Sequence, residues 1–213
     1  MYNILKPIEE CGILPVVQFD NDSQALKFAS AIKEGGMPFM EVLFRTDAAA
    51  SAIQEILKTY PDFLVGAGTI INVEQAEAAL AAGAKFLILP GFDSEVITYG
   101  LKRGVPVIPG CVTPGEIQQA LKLGVKVQKF FPAEAYGGTD TLKFLYGPYP
   151  EVTFIPTGIK LELLEQYLSC PNVAAVGGQF MFGEKALEEN QFEVITKNIR
   201  SYAETKSRKK NIR

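Results

Sequence analysis

Lys129 lies in the run Val125-Lys126-Val127-Gln128-Lys129-Phe130-Phe131, which reads as a buried strand. Side chains alternate along a strand, so Val125, Val127, Lys129 and Phe131 share a face and set the lysine amine among apolar groups. Loss of water disfavours the ammonium and makes neutral amine available, the form that attacks a ketone to give a Schiff base. The bland alternative is a lysine at a strand end whose head group reaches out to water. A second run, Phe39 to Arg45, alternates Phe39, Glu41, Leu43 and Arg45 with Met40, Val42 and Phe44. Both charges then fall on one face, opposite a wholly apolar one. On a half-exposed strand the charged face is simply wet. In a parallel barrel, covered on both faces, Glu41 and Arg45 point into the barrel mouth, where charges persist only when paired or used.

There is no histidine in the chain. That removes Ser-His and Cys-His nucleophile pairs and a histidine base, and with no Cys/His cluster it argues against a zinc site. Proton transfer falls to carboxylates, Lys, Tyr or water, which leaves Glu41 as the best candidate base. Arg45 can hold a carboxylate through two parallel hydrogen bonds.

The bulk numbers fit such an enzyme. A hydrophobic share of 47% over 213 residues supports a substantial core, and a net charge of -3 with mixed signs argues against nucleic acid as the main partner. No apolar run approaches the ~20 residues of a membrane span, and the N-terminus lacks a signal-peptide pattern. Cys11, Cys111 and Cys170, odd in number and far apart, read as reduced buried thiols of a cytoplasmic protein.

The elements that would position Lys129 and Glu41 alternate along the chain. A short helix over residues 2–10 precedes strands expected at Ile13–Gln18, Phe39–Arg45, Phe63–Gly68, Phe86–Pro90, Pro106–Pro109, the Lys129 run, Val152–Pro156 and Val173–Val176. Helical stretches separate them. One is opened by the capping residues Asn21-Asp22-Ser23, one by Asn72 and one by the capping box Thr113-Pro114-Gly115-Glu116, while Leu161–Leu168 reads as a short helix. A last helix is expected from about Gln191 to Thr205. Eight strands alternating with eight helices predict one (β/α)8 TIM barrel over residues 1–213, with the basic stretch 206–213 as a frayed tail. Active sites in this fold lie at the C-terminal ends of the strands, where Arg45, Thr69, Pro90, Lys129, Phe131, Thr157 and Gln179 fall. Gly66-Ala67-Gly68 lacks the third glycine and acidic partner of a dinucleotide site, so close packing in the barrel, with backbone approach to a ligand, accounts for it.

Lys129-Phe130-Phe131-Pro132-Ala133-Glu134, followed by Gly137-Gly138, resembles the active-site segment of the bacterial 2-keto-3-deoxy-6-phosphogluconate (KDPG) and 4-hydroxy-2-oxoglutarate (KHG) aldolases. The likeness extends through Glu41-Val42-Leu43-Phe44-Arg45-Thr46, Gly66-Ala67-Gly68-Thr69, Leu89-Pro90-Gly91, Val107-Ile108-Pro109-Gly110 and Pro156-Thr157-Gly158. Any one of these is weak; all of them in this order are specific. The resemblance implies a cofactor-free, metal-independent Schiff-base aldolase, with Lys129 and Glu41 catalytic, releasing pyruvate and an aldehyde from a 2-keto-4-hydroxy acid. It further implies that Thr69 and the backbone after Pro90 hold the pyruvyl unit, that Phe131 packs on it, and that the protein is a homotrimer. The alternatives are an aldolase for the galactonate epimer or another unphosphorylated 2-keto-4-hydroxy acid, a non-catalytic barrel that binds a keto acid or sugar acid, and a phosphate-binding barrel isomerase, which would not need a lysine at the end of strand six.

The chain departs from the family pattern in four places. Leu43 replaces a threonine and Gln128 an apolar residue. At the usual phosphate site, Thr-Gly-Gly becomes Thr157-Gly158-Ile159 and Gly-Gly-Ser becomes Gly177-Gly178-Gln179. A side chain where glycine let backbone amides approach, and a longer amide in place of a hydroxyl, predict weakened discrimination for phosphate, unless Gln179 or Lys160 compensates.

Overall fold

The structure, a computed structural model, describes residues 3–210; in its helices the side chains of residues 3, 22, 23 and 204–210 are outside the description. A 3-10 turn over Asn3–Leu5 leads into α1 (Lys6–Cys11), ended by Gly12 in the left-handed region at φ 72°. Then follow β1 (Ile13–Val17), α2 (Asp22–Glu34), β2 (Phe39–Leu43), α3 (Ala49–Thr59), β3 (Leu64–Gly68) and α4 (Val73–Ala81). The middle of the chain forms β4 (Leu87–Ile88), α5 (Ser94–Lys102), β5 (Val107–Ile108), α6 (Pro114–Lys122) and β6 (Val127–Phe130). It closes with α7 (Gly138–Tyr146), β7 (Thr153–Pro156), α8 (Leu164–Ser169), β8 (Val176–Gly178), α9 (Glu184–Glu188) and α10 (Phe192–Lys210).

All strand pairs are parallel. Six strands run in the order β5-β4-β3-β2-β1-β8, and β6 pairs with β7. Two joins close the ring. The Lys129 N–H donates to Pro109 O at 2.8 Å and its carbonyl accepts from the Cys111 N–H at 2.9 Å, which stitches β5 to β6. On the other side the Phe154 N–H donates to Asn172 O and its carbonyl accepts from the Ala174 N–H, with a further bridge between Thr157 and Gly177. The expected (β/α)8 barrel is therefore the architecture. Every residue of β1, β2 and β6 is buried, as strands covered on both faces must be. The half-exposed reading of the second strand is thereby removed.

The caps form where the side chains allow them. Asn72 accepts from the Gln75 N–H, and Thr113 with Glu116 completes a capping box at the start of α6. The cap at Asn21-Asp22-Ser23 involves side chains outside the description. Several boundaries differ from expectation. β4 and β5 keep two residues each, because Pro90, Pro106 and Pro109 supply no N–H to a ladder. The eighth strand was expected at Val173–Val176 but is assigned to Val176–Gly178, paired with Ile13–Pro15, while Val173 makes only an isolated bridge to Phe154. The helix expected from Leu161 begins as a 3-10 turn over Leu161–Leu163, and α9 is an additional short helix between β8 and α10. α10 continues past Thr205 to Lys210; residues 211–213 lie outside the described residues. Among the described residues no helix is long and apolar enough to cross a membrane. Cys111 and Cys170 are free, buried thiols, whereas Cys11 is only half-buried.

Candidate active site

Ring closure brings β2 and β6, far apart in sequence, to a common interior. Lys129 is 5% exposed and Glu41 is 1% exposed. Their charged ends face each other, Nζ to Oε1, at 3.6 Å. That gap is longer than a direct hydrogen bond, and Glu41 Oε1 accepts no hydrogen bond from the described residues. A buried acceptor left without a protein donor is uncommon, and here it lies within reach of an amine that can hold a substrate. The third group is Phe131, whose ring centroid is 5.1 Å from Lys129 Nζ. The lysine thus does not reach out to water; it is enclosed by a carboxylate and an aromatic face. Lys126, by contrast, is exposed.

β3 supplies the room for Glu41. In register, Glu41 pairs with Gly66 and Leu43 with Gly68. A Cβ built on Gly68 would fall inside the Glu41 carboxylate, and one on Gly66 would fall inside the Phe86 ring. Both glycines therefore serve barrel packing, and Gly68 in addition fixes where the acid stands.

Arg45, expected in the barrel mouth with Glu41, is placed at its edge. It is exposed, two residues beyond the end of β2, and its Nε donates to Thr69 Oγ1 at 3.3 Å. The cation beside Glu41 is Lys129. Thr69, immediately after β3, is held at φ 59°, a left-handed conformation that costs a threonine roughly 1–3 kcal/mol and concentrates at functional sites. Arg45 and Thr69 together form a polar pair just past the C-terminal ends of β2, which carries Glu41, and of β3. Pro90 lies at the end of β4, half-buried, with its carbonyl where a Cβ on Gly110 would stand.

The remaining candidates sit on the β6, β7 and β8 ends. The Phe131-Pro132 peptide is cis. The Phe131 ring packs against Gly158, within 3.5 Å of the position a Cβ would take there, and Gly158 has φ 78°. Thr157 is half-buried, and its Oγ1 lies 3.0 Å from the equivalent position on Gly177. Gly178 is covered by the Phe180 ring, and Gln179 is exposed. Ile159 packs on the hydrophobic core, whereas Lys160 is exposed. The side chain of Gln128, on the other face of β6 from Lys129, is fully buried and donates to Val125 O at 3.2 Å.

A nearby thiol does not compete with Lys129. Burial, reinforced by the charge of Glu116, pushes the Cys111 thiol up to about 12, so it stays protonated and unreactive near neutral pH.

Residues 4–198 match the family model described as KDPG and KHG aldolase. A 2-dehydro-3-deoxy-phosphogluconate aldolase from Treponema pallidum is 43% identical over 197 residues, covering 92% of this chain and 94% of the relative. A KHG/KDPG aldolase from Escherichia coli is 36% identical over 193 residues, with 90% and 91% covered. Among solved structures, a KDPG aldolase from Legionella pneumophila with pyruvate captured as a covalent carbinolamine intermediate superposes with a TM-score of 0.89. It is 37% identical, with 94% of this chain and 98% of that one covered.

Proposed function

Because the chain belongs to the KDPG and KHG aldolase family, we propose that its carbon–carbon bond cleavage is carried out by Lys129 and Glu41 at the mouth of the barrel. The protein is an aldolase that acts on a 2-keto acid through a Schiff base. Lys129 Nζ attacks the C2 ketone, and loss of water from the carbinolamine gives an iminium. The iminium withdraws electrons from the C3–C4 bond. Glu41 takes the C4 hydroxyl proton, the bond breaks, and an aldehyde leaves. The enamine that remains is protonated at C3, and hydrolysis of the iminium releases pyruvate and the free amine. The observation that carries this assignment is the 3.6 Å approach of Lys129 to Glu41 inside a covered barrel. With the acid this close to the amine, a substrate bonded to Lys129 carries its C4 hydroxyl within reach of the Glu41 carboxylate, the placement a general base requires. Arg45 and Thr69 stand at the rim, where the substrate carboxylate would be bound, with Pro90 beside them and Phe131 over the pyruvyl group.

Reduction of the iminium tests the assignment. Incubation with pyruvate and borohydride should leave one irreversible adduct, located on Lys129 by peptide mass analysis and absent from exposed Lys126. Active protein with Lys129 unmodified would rule out the Schiff base at this residue.

The assembly we infer is a homotrimer, as the family resemblance implies. Phe144 and Tyr146 on α7, 82% and 41% exposed in the single chain, are large side chains that a contact between subunits would cover. Light scattering should return three chain masses; a monomer mass at micromolar concentration would refute it.

A further inference from the structure

Two loops lie beside Lys129, and the first is tied, well outside the barrel, to the helix into which the second leads. The first, residues 131–137, follows β6 and carries Phe131. The second, residues 157–163, follows β7 and leads into α8. At their roots the Ala133 N–H donates to Thr157 O at 2.9 Å, and Phe131 lies on Gly158. Farther out, the hydroxyl of Tyr167, a side chain of α8 that is otherwise fully buried, donates a short hydrogen bond to Glu134 Oε1. Gly138, at φ 57°, leaves the space for this contact: a Cβ there would come within 3.1 Å of Tyr167 Oη and 3.7 Å of Glu134 Oε1. Burial, and then the bond to Glu134 and its charge, hold the Tyr167 hydroxyl protonated well above the usual phenol range, so the donor persists at any working pH. The mechanism makes no use of either residue, yet a charge-assisted bond is among the stronger single polar contacts a protein can make.

We propose that Glu134 and Tyr167 are positioning residues, a clamp that holds the loop after β6 against the loop after β7 in the arrangement that receives the leaving half of the substrate. The proposal rests on the reading above that Lys129 carries the pyruvyl half. That half is held chiefly by Lys129 and Glu41, which lie within β6 and β2 of the hydrogen-bonded barrel, with Arg45 and Thr69 just beyond β2 and β3. Of its neighbours only Phe131 roots the clamped loop, and it is fixed there by the Ala133–Thr157 bond and by Gly158 rather than by the clamp. The aldehyde half extends toward Thr157 and Gly158, whose loop the clamp fixes.

The test separates the two halves. Full-length Tyr167→Phe and Glu134→Ala should each lower kcat/KM for 2-keto-3-deoxy-6-phosphogluconate about tenfold, chiefly through KM, the pattern of lost binding rather than lost chemistry. Pyruvate–borohydride labelling of Lys129 should keep its rate in both. Glu134→Gln, which retains an acceptor oxygen, should restore most of the affinity. The double variant should be no worse than either single one, as for two partners of one contact. Unchanged KM in both single variants would overturn the proposal, as would additive losses or a parallel fall in pyruvate labelling. Wild-type protein that gives no adduct on Lys129 would instead overturn the Schiff-base assignment itself, so the two failures are distinct.

Discussion

Replacing Glu41 with glutamine should slow substrate cleavage by roughly 10²-fold or more, the usual scale on which a positioned acid–base group contributes and equivalent to about 2.7 kcal/mol of barrel-mouth catalysis. Glutamine keeps the shape of a side chain packed tightly against Gly68, so geometry is preserved while the proton acceptor is lost. No other residue takes over easily. The chain has no histidine, and Arg45, the other charged side chain of this strand run, cannot accept a proton. Adduct formation between Lys129 and pyruvate should survive at least in part, because the bond is made by the amine rather than by the carboxylate. The decisive comparison is therefore between turnover of the hydroxy-keto acid and borohydride labelling in the same preparation. Turnover at the wild-type rate would leave Glu41 as the counter-charge of Lys129 and nothing more.

A second large effect is expected at the far end of the substrate. Ile159 lies against the core where the family pattern has glycine, and Gln179 is exposed at the end of β8 where it has serine. Removing two contacts to a charged group, at about 1.5–3 kcal/mol each, eliminates most of a preference for phosphate. We expect kcat/KM for 4-hydroxy-2-oxoglutarate to fall within about tenfold of that for the phosphorylated sugar acid, a gap of ~1.4 kcal/mol. Side-by-side kinetics on the two compounds decides it. A preference above about a thousandfold, some 4 kcal/mol, would mean that Lys160 or Gln179 holds the phosphate by another route.

The parts of this site that can be read from the chain are those set by local periodicity. Alternation along Phe39–Leu43 and Val125–Phe131 places Glu41 and Lys129 on interior faces, and both are buried. What alternation cannot say is which charge meets which. Arg45 lies only four residues from Glu41, on the same nominal face, yet the chain has left the ladder before it, and alternation ends where the strand does. Lys129 reaches Glu41 only through ring closure, a long-range fact with no local signature. Boundaries failed for similar reasons. Val173-Ala174-Ala175-Val176 is apolar enough to resemble a whole strand, whereas the paired segment includes Gly177 and Gly178, which have no side chain to show a pattern. The five residues of α9 are too few to display a helical period. The bond between Glu134 and Tyr167 joins residues 33 apart, one exposed and one buried, and nothing in either neighbourhood marks the other.

The missing side chain at Gly68 has a consequence for how the acid at position 41 can vary and move. The Glu41 carboxylate occupies volume that another residue's Cβ would claim, so the two positions share one allotment of space. A close-packed interior offers no slack to absorb a methyl group there. An alanine at 68 could be accommodated only by a shorter acid at 41, whose carboxylate would then stand farther from Lys129. The same crowding restricts the rotamers open to Glu41. Its loss of side-chain freedom is met once, when the barrel folds, and does not recur at each turnover.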